Sequence, residues 1–211
     1  MGRLFGTDGV RGIANSELTP ELAFKLGKAG AHVLSKDKKR PIVIIGKDTR
    51  LSGDMIEDAL SAGILAVGGN VIKVGVLPTP AVAYLVNVYK ADAGAVISAS
   101  HNPFEYNGIK FFNGDGFKLD DSIEDEIEDI ILSNVDVNSH ITGDKLGKCL
   151  EADDDAIEKY ADFLKSTIDA DISGLKLVLD CANGASYKVA EKVYSELGAD
   201  VTVIGNEPDG I

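Results

Sequence analysis

A chain of 211 residues with 45% hydrophobic and 26% charged content is long enough to bury a sizeable core and ordinary in its balance for a globular fold. Its 34 acidic against 21 basic residues leave a formal net charge of −13, which repels phosphate backbones and acidic membranes and argues against nucleic acid or a membrane as partner. A small phosphorylated ligand is not excluded, because a local pocket of cations and backbone amides binds an anion even within an acidic protein.

The opening run Phe5-Gly6-Thr7-Asp8-Gly9-Val10-Arg11-Gly12 is rich in glycine, which permits close backbone approach to a ligand. Thr7, Asp8 and Arg11 are the polar groups that such a loop presents, and a plain glycine-rich turn is the alternative. Met1 to Gly6 lack the apolar run of a signal peptide, and Gly6 stands where a myristoylation signal needs Ser or Thr. Thr19 as N-cap, Pro20 in the first turn and Glu21 near the positive helix end open a helix that runs to about Leu34, with His32 as a surface or core-edge side chain. Pro41 to Ile45 is a β-branched apolar run, hence a buried strand. It ends in Gly46-Lys47-Asp48-Thr49-Arg50. Ligands collect at the carboxyl ends of strands in open α/β sheets, so Lys47 and Arg50 are candidate anion contacts, with a solvated charge cluster as the alternative. Ser52 is expected to cap a helix from Gly53 to Val67. Asn70 to Val76 forms the next strand, and Leu77-Pro78-Thr79-Pro80 leads into a helix over Ala81 to about Lys90.

Ala93 to Ile97 reads as a buried strand that stops at the polar cluster Ser100 to Asn102, which Pro103 keeps from continuing as strand. Asn107-Gly108 is a turn signal, after which Ile109-Lys110-Phe111-Phe112 returns as strand. The Ser100 hydroxyl and the Lys110 ammonium are therefore expected to meet at one strand end. Ser98 shares the face of Ser100 by the two-residue strand period. Strands and helices alternate and close with a hairpin, which predicts an α/β sandwich with a mixed β-sheet between helices over residues 1–150. Asp120 to Leu132 is an acidic helix with a solvated face, and Asn134 to Glu151 a polar linker. A helix from Ala152 to Thr167 leads into a single β-α-β unit made of Leu175–Asp180, Ser186–Leu197 and Asp200–Ile204. Residues 151–211 thus form an incomplete second α/β domain, whose open edge invites pairing with another copy as a homodimer. Cys149 and Cys181 stand far apart without metal-ligand spacing, and no apolar stretch is long enough to cross a bilayer, so a reducing, cytoplasmic setting is expected.

Taken together, Phe5 to Gly12, Gly46 to Arg50, Pro78-Thr79-Pro80, and Ser98 to Pro103 followed by Asn107-Gly108-Ile109-Lys110 resemble the α-D-phosphohexomutase superfamily. The likeness extends to Asp180-Cys181-Ala182-Asn183-Gly184. The resemblance implies a four-domain enzyme that interconverts sugar 6-phosphates and 1-phosphates. It implies that Ser100 is a phosphoserine that gives its phosphoryl group to the sugar and takes one back from the bisphosphate so formed. Mg²⁺, held by an oxygen of phosphorylated Ser100 and by three aspartates of an Asp-Gly-Asp-Gly-Asp-Arg loop, is the implied cofactor. The Phe5 to Gly12 opening and the Ser-Ala-Ser-His wording favour a phosphorylated hexosamine as substrate; mutases of mannose or glucose phosphates share the pattern. Lys110 matches a general base for the sugar hydroxyl, which must then be neutral. His101, grouped with Ser100 and Lys110 as the catalytic set, and Asn102 match residues that position the phosphate. Arg11 matches an arginine near the phosphoserine. No Asp-Gly-Asp-Gly-Asp-Arg run occurs in these residues, and the third and fourth domains that grip the sugar are missing too. The expectation is the amino-terminal part of such an enzyme, inactive by itself. A non-catalytic α/β module that keeps the loop is the alternative from another class.

Overall fold

Apolar alternation decides the layers. Along strand β2 (Ile42–Lys47), Val43 and Ile45 join one buried cluster while Ile44 joins the other, the pattern of a pleated strand covered on both faces. The structure, a computed structural model, describes residues 4–34, 38, 40–137, 140–150 and 155–211. The expected helix start at Ala152, the end of the expected linker at Glu151 and the residues Met1 and Gly2 lie outside them.

Six strands form the main sheet in the order β1 (Val10–Ile13), β5 (Tyr106–Asn113), β4 (Ala93–Ile97), β2, β3 (Asn70–Val76) and β6 (Cys149–Leu150). Strands β4, β2, β3 and β6 run parallel, and β5 is antiparallel to both β4 and β1. The sheet is mixed, as expected. Helices α1 (Pro20–Leu34), α2 (Gly53–Ala66) and α4 (Asp121–Leu132) pack on one face, and α3 (Thr79–Val88) with α5 (Ala156–Ser166) on the other.

Thr19 caps α1 as its sequence predicts, its Oγ1 accepting from the Leu22 amide at 3.2 Å. Helix α1 then lies directly against α2. A Cβ on Gly63 would stand 2.1 Å from the Phe24 carbonyl oxygen, and one on Gly27 would stand 2.2 Å from that of Leu60. The two helices touch backbone to backbone, and only glycine allows it.

Four expectations are corrected. Asn107-Gly108 is not a turn but lies within β5, paired with Gly12 and Arg11 of β1. Asn107 is fully buried; its amide nitrogen donates to Ser52 Oγ at 2.9 Å and its Oδ1 accepts from the Gly108 amide at 2.8 Å. Ser52 accordingly makes no side-chain cap on α2. The polar stretch expected as linker contributes β6, which pairs with Val71 and Ile72 of β3. The acidic helix α4 is not wholly solvated either. Glu124 and Glu128 are buried; Glu124 pairs with Lys118 at 3.2 Å, and Glu128 accepts from the Leu4 and Phe5 amides at 2.8 and 3.3 Å. Each carboxylate is buried because it has a partner.

The second unit is β7 (Lys176–Asp180), α6 (Tyr187–Glu196) and β8 (Asp200–Ile204), with β7 and β8 parallel. Helices α5 and α6 join the same apolar cluster as α3: Tyr160, Val189 and Val193 pack with Leu85 and Val86. Tyr84 of α3 stacks on Phe163 of α5 with ring centroids 4.2 Å apart. Among the described residues no helix is long and apolar enough to cross a membrane.

Candidate functional site

The central strand β4 is apolar and buried along its whole length, so its chain end has nowhere polar to go but outward. The Ser98 amide still bonds the Gly108 carbonyl at 2.9 Å. Beyond it the chain leaves the sheet, and Ser100 adopts φ 58°. A left-handed backbone costs a non-glycine residue about 1–2 kcal/mol, and such strain gathers at working sites. The Ser98 hydroxyl accepts from the Ser100 amide at 3.0 Å and so serves the loop. The Ser100 hydroxyl is exposed, 3.4 Å from His101 Nδ1. Of the two serines on this face, Ser100 is the one presented outward.

Ser100 stands at the border of two cavities. The larger, about 590 Å³, is lined by Arg50, Thr79, Ser100, His101 and Asn102, and across it by Asn183 to Ser186 of the second unit. The smaller, about 270 Å³, is lined by Asp8, Arg11, Thr79, Ser100, His101 and Lys110. The sheet register brings these cations in: Lys110 lies opposite Val96 on β4, and Arg11 opposite Gly108. A Cβ on Gly108 would meet the Ser98 carbonyl oxygen and Arg11 Cγ at 2.8 Å, so glycine lets three strands close around the site.

Lys110 donates to Asp8 Oδ1 at 3.2 Å, and Arg11 Nη2 lies 3.5 Å from Asp8 Oδ2. The hydrogen bond from Lys110, then the charges of Lys110 and Arg11, hold the Asp8 carboxyl below the usual range. Arg11 Nε is buried without a hydrogen-bond partner, a donor that the protein leaves unsatisfied. Two cations facing one carboxylate beside an exposed hydroxyl can take up a phosphoryl group. An ammonium carries no lone pair, so Lys110 can act as a base only in its neutral form.

Ser100, His101, Lys110 and Arg11 are thus brought together, with Asn102 on the larger cavity. The other two expected anion contacts are placed differently. Lys47 lines neither cavity. Burial pushes its ammonium down, but the bonds to Asp54 at 2.6 Å and Glu57 at 2.7 Å outweigh that and hold it up. Arg50 lines the larger cavity with every guanidinium N–H engaged by the protein. Thr79 and the turn Ala182 to Ser186 also line the site and were not singled out as site residues. Two signals were available: both segments overlap motifs that carry the family resemblance, and each sits where a strand ends and a helix begins. Ala182 and Asn183 have φ 48° and 49°, and Thr49 Oγ1 donates to the Asn183 carbonyl at 2.7 Å across the cavity.

These residues do not by themselves make a divalent-cation site. Asp8 and Asp48, the carboxylates on the two cavity walls, each pair with an arginine, Arg11 and Arg50. Among the described residues the one close acidic cluster, Glu158, Asp162 and Glu196, is exposed on α5 and α6 and already pairs with Lys165 and Lys192.

The family model for phosphoglucomutase/phosphomannomutase, alpha/beta/alpha domain I, matches residues 2–137. Phosphoglucosamine mutase of Clostridium novyi (strain NT) is 61% identical over 211 residues, covering the whole of this chain and 47% of that protein. The phosphoglucosamine mutase of Clostridium botulinum (strain Loch Maree / Type A3) is 60% identical over the same span. The chain therefore spans about half the length of the curated relatives it matches. A crystal structure of a phosphoglucomutase/phosphomannomutase family protein from Burkholderia thailandensis superposes with a TM-score of 0.82 at 27% identity, covering 99% of this chain and 45% of that one.

Proposed function

The chain belongs to the phosphoglucomutase/phosphomannomutase family, and from that premise we propose that the full-length protein interconverts glucosamine 6-phosphate and glucosamine 1-phosphate through a phosphoserine at Ser100. One observation carries this: an exposed serine hydroxyl on strained backbone, at the edge of a cavity walled by Arg11, Lys110 and His101. The substrate is supported by the phosphoglucosamine mutases to which the chain is about 60% identical.

The step is a phosphoryl exchange. A sugar hydroxyl oxygen bonds to the phosphorus on Ser100, the bond from phosphorus to Oγ breaks, and a hexosamine bisphosphate results. The sugar hydroxyl loses a proton and Oγ regains one. Lys110, in its neutral amine form, accepts the first, and His101, 3.4 Å from Oγ, is within reach to return the second. Arg11 and Asn102 hold the phosphoryl oxygens, and transfer of this kind rests on positioning and charge neutralisation. Mg²⁺ belongs to the proposal as the remaining counter-charge; its ligands other than the Ser100 phosphate oxygen are assigned to the part of the relatives' length outside this chain. A reducing, cytoplasmic setting accords with two unpaired cysteines, Cys149 and Cys181.

The test is made on full-length protein purified from cells. Mass spectrometry is expected to find phosphate on Ser100 in part of the population, and turnover of glucosamine 6-phosphate to exceed that of mannose and glucose phosphates. Ser100→Ala is expected to lower turnover by more than about 10³-fold. An enzyme that turns over with no phosphate at Ser100 would rule the mechanism out.

A further inference from the structure

Arginine presents five N–H donors on one planar fork, and at Arg50 all five bind the protein. Nε donates to Asp48 Oδ2 at 2.9 Å. Nη1 donates to the carbonyls of Pro103 at 2.7 Å and Tyr106 at 3.1 Å. Nη2 donates to those of Ser100 at 2.9 Å and Asn102 at 2.8 Å. The fork is itself braced. Asp48 Oδ1 accepts from the Arg50 amide at 3.0 Å, and the Asp48 amide donates to the Ile97 carbonyl at 2.9 Å. Arg50 is thus anchored to the end of β4 and reaches across to the loop that β4 feeds. The two side chains are only 10% and 11% exposed.

No donor remains for a phosphate, so Arg50 makes no direct hydrogen bond to an anion. What it holds is backbone. Within the loop, the Asn102 amide bonds Ala99 at 3.1 Å and the Tyr106 amide bonds Pro103 at 3.0 Å. These short-range bonds do not tie the loop to the sheet; at its far end the Glu105 carbonyl accepts from the Ala14 amide at 2.8 Å, and along the rest the carbonyl contacts to Arg50 make the tie. We propose that Arg50 is a positioning residue whose guanidinium clamps the loop from Ser100 to Tyr106, keeping Ser100 in its left-handed backbone with the hydroxyl at the border of the two cavities. Freed of the clamp, Ser100 relaxes to negative φ and its hydroxyl swings away from Arg11 and Lys110. Lysine keeps the charge beside Asp48 but has no fork with which to bridge four carbonyls.

Two measurements test this. In the 211-residue chain, Arg50→Lys is expected to quicken amide hydrogen exchange at Asn102 and Tyr106 at least tenfold, while α1 amides keep their wild-type rates. In the full-length protein, on the function proposed above, the same variant is expected to lose about 10²-fold in kcat with KM within about threefold, as ångström-scale misplacement of a reacting group does. Arg50→Ala should regain part of the lost kcat when guanidinium ion is added. Unchanged exchange at Asn102 and Tyr106 overturns the clamp, and quickened exchange with unchanged kcat overturns the positioning role. A wild-type enzyme without hexosamine phosphate turnover overturns the mutase function instead, and the clamp then stands or falls on exchange.

Discussion

Asp8 is the residue whose behaviour is easiest to check against the geometry. Its carboxyl is held low by the hydrogen bond from Lys110, then by the charges of Lys110 and Arg11. A carboxylate with a lowered folded value adds stability above the unfolded value and loses it as pH falls through the folded one. In an NMR titration Asp8 is therefore expected to protonate below the ordinary 3.8, and Lys110→Met to bring it back up towards that value. Asp8 is half exposed, so Asp8→Asn should change stability by less than about 1 kcal/mol. At this scale the sequence was informative about identity and silent about partners. Ser100, His101, Lys110 and Arg11 could be named from motif and strand-end position. The partners of Arg50 could not, because its acceptors are backbone carbonyls 50 to 56 positions away, and a carbonyl carries no residue label. The same charge that suggested an anion contact made Arg50 a good bridge.

Elements were legible where local chemistry agreed with the fold. The cap at Thr19, the β-branched run of β2 and the apolar run of β4 each named their element in advance. Asn107-Gly108 misled because the dipeptide favours a turn only when nothing stronger competes. Here the buried Asn107 amide holds Ser52, and Gly108 is required by the neighbouring strand rather than by a bend. Strand β6 is two residues long, too short to leave a period. The α1–α2 contact was equally invisible, since a glycine inside a helix does not announce what touches it. It makes a sharp prediction. Gly63→Ala places a methyl group 2.1 Å from the Phe24 carbonyl, and urea unfolding should show a loss of about 1–3 kcal/mol, as overpacking does. An unchanged midpoint would mean that the helices separate at no cost.

Across the whole molecule one apolar layer joins the main sheet to helices α5 and α6 of the second unit. Leu85 and Val86 of α3 share it with Tyr160 and Ala161 of α5 and Val189 of α6. A continuous core favours joint unfolding, so calorimetry of this chain is expected to show one transition with matching calorimetric and van't Hoff enthalpies; two resolved peaks would show that the layer is not cooperative. The pairing of β1 with β5 has a further consequence, for the order in which the site comes together. Val10 meets Ile109, and the Leu4 amide reaches Glu128 across 124 positions. Contacts so distant in sequence form late, after nearer pairings have closed the intervening loop. The segment carrying Asp8 and Arg11 must wait for β5 and α4, so on a growing chain these two side chains stay apart from Lys110 until β5 has been made.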